Sequence, residues 1–139
     1  MSQETIFHPA AALVLLTLLV MLLIPYRRWK AGFAREVNAG DFRYGESARV
    51  PGHVSLPNRN YMNLLELPLL FYVACIILYV LKAVDTTAVA LAWAYVALRA
   101  GHSAVHVTYN NVFHRLGFFA ASCVVLAVIW IRIVAALAR

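Results

Sequence analysis

Four long runs of apolar residues, separated by polar stretches, dominate this chain. They predict helices over about residues 7–25, 59–81, 86–109 and 114–137. A helix needs roughly 20 mainly apolar residues to cross the hydrocarbon core of a bilayer, and each run has about that length. The chain is 63% hydrophobic and only 13% charged, which is too apolar for an ordinary soluble domain. We therefore expect an all-α integral membrane protein, a four-helix bundle that forms one domain over residues 1–139.

The longest polar connection, residues 26–58, separates the first two predicted helices. Its glycines and prolines favour turns, although its first part, RRWKAGFAREV, can extend the first helix by about two or three turns. Seven of the twelve Lys and Arg residues lie in this connection or beside it: Arg27, Arg28, Lys30, Arg35, Arg43, Arg49 and Arg59. Basic connections stay on the cytoplasmic side of a membrane. The pattern therefore predicts a cytoplasmic loop and both termini outside.

The net charge of +6 comes largely from this basic loop, and it matches the anionic headgroups of membrane lipid. Without a basic soluble domain, the charge gives little support to nucleic-acid binding. The two cysteines, Cys75 and Cys123, both lie in apolar runs. They are best interpreted as small buried hydrophobic residues, because a disulfide framework would place them outside the membrane.

A polar stripe interrupts the start of the second apolar run. Arg59, Asn63 and Glu66 are four and three residues apart, which places them on one face of a helix. Pro68 follows and can bend the helix, opening room beside the stripe. A carboxylate at membrane depth is costly unless it faces protein or water and has a partner. We therefore expect this face to turn toward a binding site or a neighbouring helix.

A second polar stripe, on the third predicted helix, contains Arg99, His102, Ser103 and His106. Two polar stripes on neighbouring helices imply a shared site. An alternative is a buried ion pair between Glu66 and Arg99 that only fixes helix packing. His102 and His106 are one turn apart, a spacing that can bind a metal. No second strong pair of ligands accompanies them, so we expect no metal site.

These motifs resemble the MAPEG family, the membrane-associated proteins in eicosanoid and glutathione metabolism. The resemblance rests on Arg59-x-x-x-Asn63-x-x-Glu66, on Arg99-x-x-His102-Ser103 and on Arg115. The stretches NLLELPLLFY and HSAVHVTYNN resemble bacterial members in particular. The resemblance implies a four-helix subunit that assembles as a homotrimer in the bacterial inner membrane. It also implies that glutathione binds between adjacent subunits near the cytoplasmic face.

The resemblance further implies roles for individual residues. In enzymes of this family the arginine that corresponds to Arg115 stabilises the glutathione thiolate, and a cation beside a thiol lowers its pKa. The two carboxylates of glutathione would pair with Arg59, Arg99 and Arg27. The other implied binding positions are Asn63, Glu66, His102, Ser103 and His106, the last of which stands where these enzymes often have a tyrosine.

Three functions fit these features. The first is a glutathione-dependent transferase or peroxidase that acts on lipophilic electrophiles, with glutathione or another small thiol arriving from the cytoplasm and the apolar substrate from the bilayer. The second is a non-enzymatic lipid-binding or scaffold membrane protein of the same fold. The third is a small transporter, which the intramembrane Glu66 suggests, although no inverted repeat is visible. We take the first as the working hypothesis.

Overall fold

The computed structural model describes residues 2–138, and helices make up its main elements. A short 3-10 turn, Gln3–Ile6, leads into α1, Phe7–Phe33. A second 3-10 turn, Ala39–Phe42, lies in the loop that follows. The remaining helices are α2, Gly52–Val80; α3, Thr86–Val107; and α4, Val112–Leu137. All four helices are long and apolar enough to cross a membrane, which confirms the predicted fold class.

The four helices pack around one apolar core. Leu13 of α1, Phe71 of α2, Tyr95 of α3 and Ile129 of α4 are all buried in it. The rings of Phe71 and Tyr95 stack with their centroids 4.6 Å apart, and this contact joins α2 to α3. Such aromatic pairs contribute about 0.5–1.5 kcal/mol beyond the area they bury. The core therefore fixes which faces of α2 and α3 meet.

The helices extend further into the long connection than the sequence predicts. α1 continues to Phe33, within the extension that its sequence allows, and α2 begins at Gly52 rather than near residue 59. The cause is a second, smaller apolar cluster, which buries the start of α2 against the end of α1. This cluster consists of Ala31, Val37, Val50 and Val54. The predicted loop over residues 26–58 is therefore corrected to residues 34–51.

The loop over residues 34–51 folds around Asp41. The backbone N–H of Asn38 donates to Asp41 Oδ2 and the hydroxyl of Ser47 donates to Asp41 Oδ1, both at 2.9 Å. These hydrogen bonds lower the pKa of Asp41 below its usual value, so the carboxylate stays ionised at neutral pH. Arg28 of α1 binds Glu46 at 3.0 Å. The loop is thus fastened to the end of α1, and we call this side of the bundle the loop end.

The opposite side, which we call the far end, carries the turn between α2 and α3. The side-chain amide of Gln3 donates to the carbonyl of Val84 at 3.2 Å and accepts from its N–H at 3.0 Å. This pair of hydrogen bonds satisfies both backbone groups of Val84. It thereby ties the N-terminal segment to the turn.

Candidate functional site

Polar side chains gather at the loop end, where α2, α3 and α4 meet. They surround a cavity of about 190 Å³. Its wall is formed by Asn63, His102, Val112, Arg115, Leu116 and Phe119. The structure thus brings together three of the predicted site residues, one from each of the three helices.

Two hydrogen bonds, one to its side chain and one to its backbone, position Arg115. Its Nη1 donates to Asn110 Oδ1 at 2.7 Å, while its backbone carbonyl accepts from His102 Nδ1 at 3.1 Å. Asn110 has a left-handed backbone with φ of 49°, which asparagine adopts more readily than most residues. The Nε of Arg115 is buried and has no hydrogen-bond partner among residues 2–138. The guanidinium of Arg115 therefore has an N–H group without an acceptor among the described residues, and this group can donate a hydrogen bond to an anion.

The start of α4 adds to the positive potential at this cavity. Asn111 caps the helix, since its side chain accepts from the N–H of His114 at 3.1 Å. Arg115 consequently sits in the first turn, where the N–H groups of a helix carry partial positive charge. The guanidinium and the helix terminus together favour a negatively charged ligand.

The α3 stripe is buried along its whole length. Arg99, whose side chain is fully buried, donates from Nε to the hydroxyl of Tyr95 at 3.2 Å. Its guanidinium lies 5.4 Å from the ring centroid of Tyr95 and 5.2 Å from that of Phe119. These cation–π contacts offset part of the cost of burying a charge. Within the described part of the chain, Nη1 and Nη2 of Arg99 have no hydrogen-bond partner.

Asn60 belongs to this polar cluster but not to the motifs recognised in the sequence. It is fully buried, and its Oδ1 accepts from the hydroxyl of Ser103 at 3.3 Å, joining α2 to α3. The helical spacing in the sequence could have identified it, because Asn60 shares a helix face with the apolar core residues Leu64 and Phe71. A polar residue on that face needs an interhelical partner.

His106 lies next to His102, with the two ring centroids 5.6 Å apart and the rings perpendicular. The ring of His106 is buried, and neither of its nitrogens has a hydrogen-bond partner between residues 2 and 138. Across this same range, no group of three or more His, Cys, Asp or Glu side chains is arranged to hold a metal ion.

The remaining predicted residues lie away from this cavity. Arg59 and Glu66 point outward from α2 and are exposed, while Asn63 between them is half-buried. Of the ion pairs formed by the described residues, none involves Glu66, so the alternative pairing of Glu66 with Arg99 is absent from the single chain. Arg27 lines a separate cavity of about 170 Å³ at the loop end.

The fold and this cavity define an integral membrane four-helix bundle with a cationic site at one end. A model of the MAPEG family matches residues 6–135, nearly the whole chain. The chain therefore belongs to the MAPEG family, which confirms the resemblance carried by its motifs. Comparisons with curated proteins and with solved structures found no significant match.

Proposed function

We propose that this protein is a glutathione-dependent transferase or peroxidase that acts on lipophilic electrophiles. Arg115 gives this proposal its main support, because it lines one cavity together with Asn63 and His102. A guanidinium beside a bound thiol favours its charged form and lowers its pKa. The thiolate is the nucleophile, so Arg115 raises the fraction of bound thiol that can react.

The charges around the cavity fit glutathione, which has two carboxylates, an amine and a thiol. Arg115 and Arg99 have no carboxylate partner among residues 2–138, and carboxylates pair well with guanidinium groups. Arg115 lines the cavity itself, whereas Arg99 is buried directly behind Phe119. Arg115 is therefore the group that meets the thiol, and Arg99 adds positive potential from within the bundle.

A single chain supplies only part of this site. The cavity of about 190 Å³ is smaller than the roughly 300–1,000 Å³ that is usual for a site enclosing a small molecule. Arg59 and Glu66 lie on an exposed face of a spanning helix, where charges need a partner. A second copy of the chain packed on this face would cover both charges and enlarge the cavity beside Asn63. We infer a homotrimer, the closed assembly that the family resemblance implies.

In such an assembly Asn63 hydrogen-bonds the peptide backbone of glutathione, and Arg115 holds the thiolate sulfur. Leu116 and Phe119 form the apolar side of the cavity and exclude water from it. When bound, glutathione supplies a thiolate that bonds to an electrophilic carbon as the leaving group departs with its electron pair. In the peroxidase reaction, two glutathione molecules reduce a hydroperoxide to an alcohol and water and become glutathione disulfide.

The arginines of the loop over residues 34–51, together with the Lys and Arg residues at the ends of its flanking helices, support a cytoplasmic loop end, with both termini outside and a bacterial inner membrane as the location. Glutathione, or another small thiol, then reaches the cavity from the cytoplasm. The lipophilic substrate reaches it from the bilayer.

Calorimetry in detergent tests the proposal, with glutathione titrated into the wild type, Arg115→Ala and Glu66→Gln. We expect saturable binding that Arg115→Ala abolishes and Glu66→Gln weakens. Arg49→Ala is the matched control, since Arg49 has an 86% exposed side chain in the loop and its loss removes the same charge. Absence of binding in folded, oligomeric wild type would refute the glutathione mechanism and favour the lipid-binding or scaffold alternative.

A further inference from the structure

A larger cavity lies at the far end of the bundle, remote from Arg115. Its volume is about 530 Å³, within the range of roughly 300–1,000 Å³ that is usual for ligand sites. The wall combines two cations, one carboxylate and small apolar side chains from the ends of α2 and α4. These residues are Leu78, Lys82, Ala83, Val84, Asp85, Arg132, Ala135 and Ala136.

Asp85 orients the guanidinium in this cavity. Its Oδ1 accepts from the N–H of Ala88 at 2.7 Å and caps α3, while its Oδ2 accepts from Arg132 Nη2 at 2.6 Å. The hydrogen bond from Ala88 and the contact with Arg132 lower the pKa of Asp85, so it stays ionised at neutral pH. The Nε of Arg132 is buried without a partner in the described chain. The contact with Asp85 therefore holds the guanidinium of Arg132 in place, and its Nε–H group can still donate a hydrogen bond to a ligand.

Lys82 occupies a backbone position that favours glycine. Its φ of 54° is left-handed, and it ends α2 in a turn closed by the hydrogen bond from Ala83 N–H to the carbonyl of Leu78 at 3.0 Å. Lys82 lines the cavity from this strained backbone position and brings a positive charge to it. Among residues 2–138, no carboxylate forms an ion pair with Lys82.

The net charge of this cavity and its position at the ends of the helices indicate the class of ligand that it binds. Two cations, Lys82 and Arg132, against one carboxylate, Asp85, leave a single uncompensated positive charge, and a phosphodiester carries a single negative charge. The cavity lies at the ends of spanning helices, where lipid headgroups begin, and its apolar part extends along Leu78 and Ala135. We propose that it binds the phosphate of an anionic membrane lipid, with Arg132 and Lys82 contacting the phosphate oxygens.

Native mass spectrometry of the detergent-solubilised protein tests this site, with dioleoylphosphatidylglycerol and dioleoylphosphatidylcholine as probes. We expect the wild type to retain phosphatidylglycerol in preference to phosphatidylcholine, whose ammonium cancels the phosphate charge. Arg132→Gln and Lys82→Gln should each weaken retention about tenfold, because each removes a charge-assisted contact. Arg43→Gln removes the same charge from the exposed loop and should leave this preference unchanged.

Asp85→Asn separates a lipid site from a purely structural ion pair. Asparagine also caps helices, so α3 keeps its start while the cavity gains one positive charge. The ion pair between Asp85 and Arg132 is largely solvent-exposed, so its loss costs little orientation, whereas removal of the carboxylate removes a charge that repels the phosphate. We therefore expect retention of phosphatidylglycerol to become roughly threefold tighter, opposite in sign to Arg132→Gln. Weakening in both variants, at unchanged melting temperature, would overturn the proposal. Displacement of the lipid by an equal concentration of inorganic phosphate would also overturn the assignment to a lipid.

Discussion

Asn110 offers a sharp test of how the turn between α3 and α4 positions the candidate site. Asn110 contributes to this turn in two ways that mutation can separate. Its side chain accepts a hydrogen bond from Arg115 Nη1 at 2.7 Å, and its backbone adopts the left-handed φ of 49°. Asn110→Gly removes only the side chain, because glycine accepts this φ. Asn110→Ala removes the side chain and adds about 1 kcal/mol of backbone strain. Comparison of the two variants therefore isolates the contact with Arg115.

A hydrogen bond to a charged group contributes about 1.5–3 kcal/mol when buried, and the half-buried Arg115 reduces this to about 1 kcal/mol. We expect both variants to bind glutathione roughly fivefold more weakly in calorimetry. Only Asn110→Ala should also have a lower melting temperature than the wild type in detergent. If Asn110→Gly bound glutathione as the wild type does, while Arg115→Ala abolished binding, the proposed role of Asn110 in positioning Arg115 would be wrong.

Two further predictions concern stability. A Cβ at Gly101 would lie 2.6 Å from Phe118 Cε1, so Gly101→Ala should destabilise the bundle by about 1–3 kcal/mol in thermal unfolding. Gly117→Ala is its control, since nothing lies within 4 Å of that position, and it should be neutral or stabilising by about 0.5–1 kcal/mol. The folded loop lowers the pKa of Asp41. The stability that ionised Asp41 gives to the loop is therefore complete above the usual carboxyl pKa and is lost as pH falls through the lowered pKa. The protection of the backbone amides over residues 38–47 against hydrogen exchange, taken relative to the intrinsic exchange rate at each pH, should therefore fall on acidification. This dependence should disappear in Asp41→Asn, and an unchanged pH profile in that variant would contradict the role assigned to Asp41.

The sequence predicted the four helices well because each apolar run is long enough to span a bilayer. It placed the start of α2 too late, because Val54 joins a cluster with Ala31 and Val50 that only the folded chain assembles. The turns that lead into this cluster contain glycine and proline, which locally favour a loop. Tertiary packing overrode that preference.

The orientation of α2 could not be read from its pattern. The face that carries Arg59 and Glu66 and the face that carries Asn60 both contain polar and apolar residues, and lipid is as apolar as a protein core. Hydrophobicity therefore does not tell which face packs against α3. The packing of Phe71 on Tyr95 decides it, burying Asn60 and leaving Glu66 outward.

A pH titration of the ultraviolet absorbance of glutathione thiolate, in the presence of saturating protein, tests directly whether Arg115 stabilises the bound thiolate. With the wild-type protein, the bound thiol should ionise at lower pH than the thiol of free glutathione. Arg115→Lys should keep part of this shift, because it keeps the charge but loses the hydrogen bond to Asn110 in its present geometry. Arg115→Ala should lose the shift completely. Identical titration curves for free glutathione and for glutathione with the wild-type protein would show that Arg115 does not stabilise the thiolate.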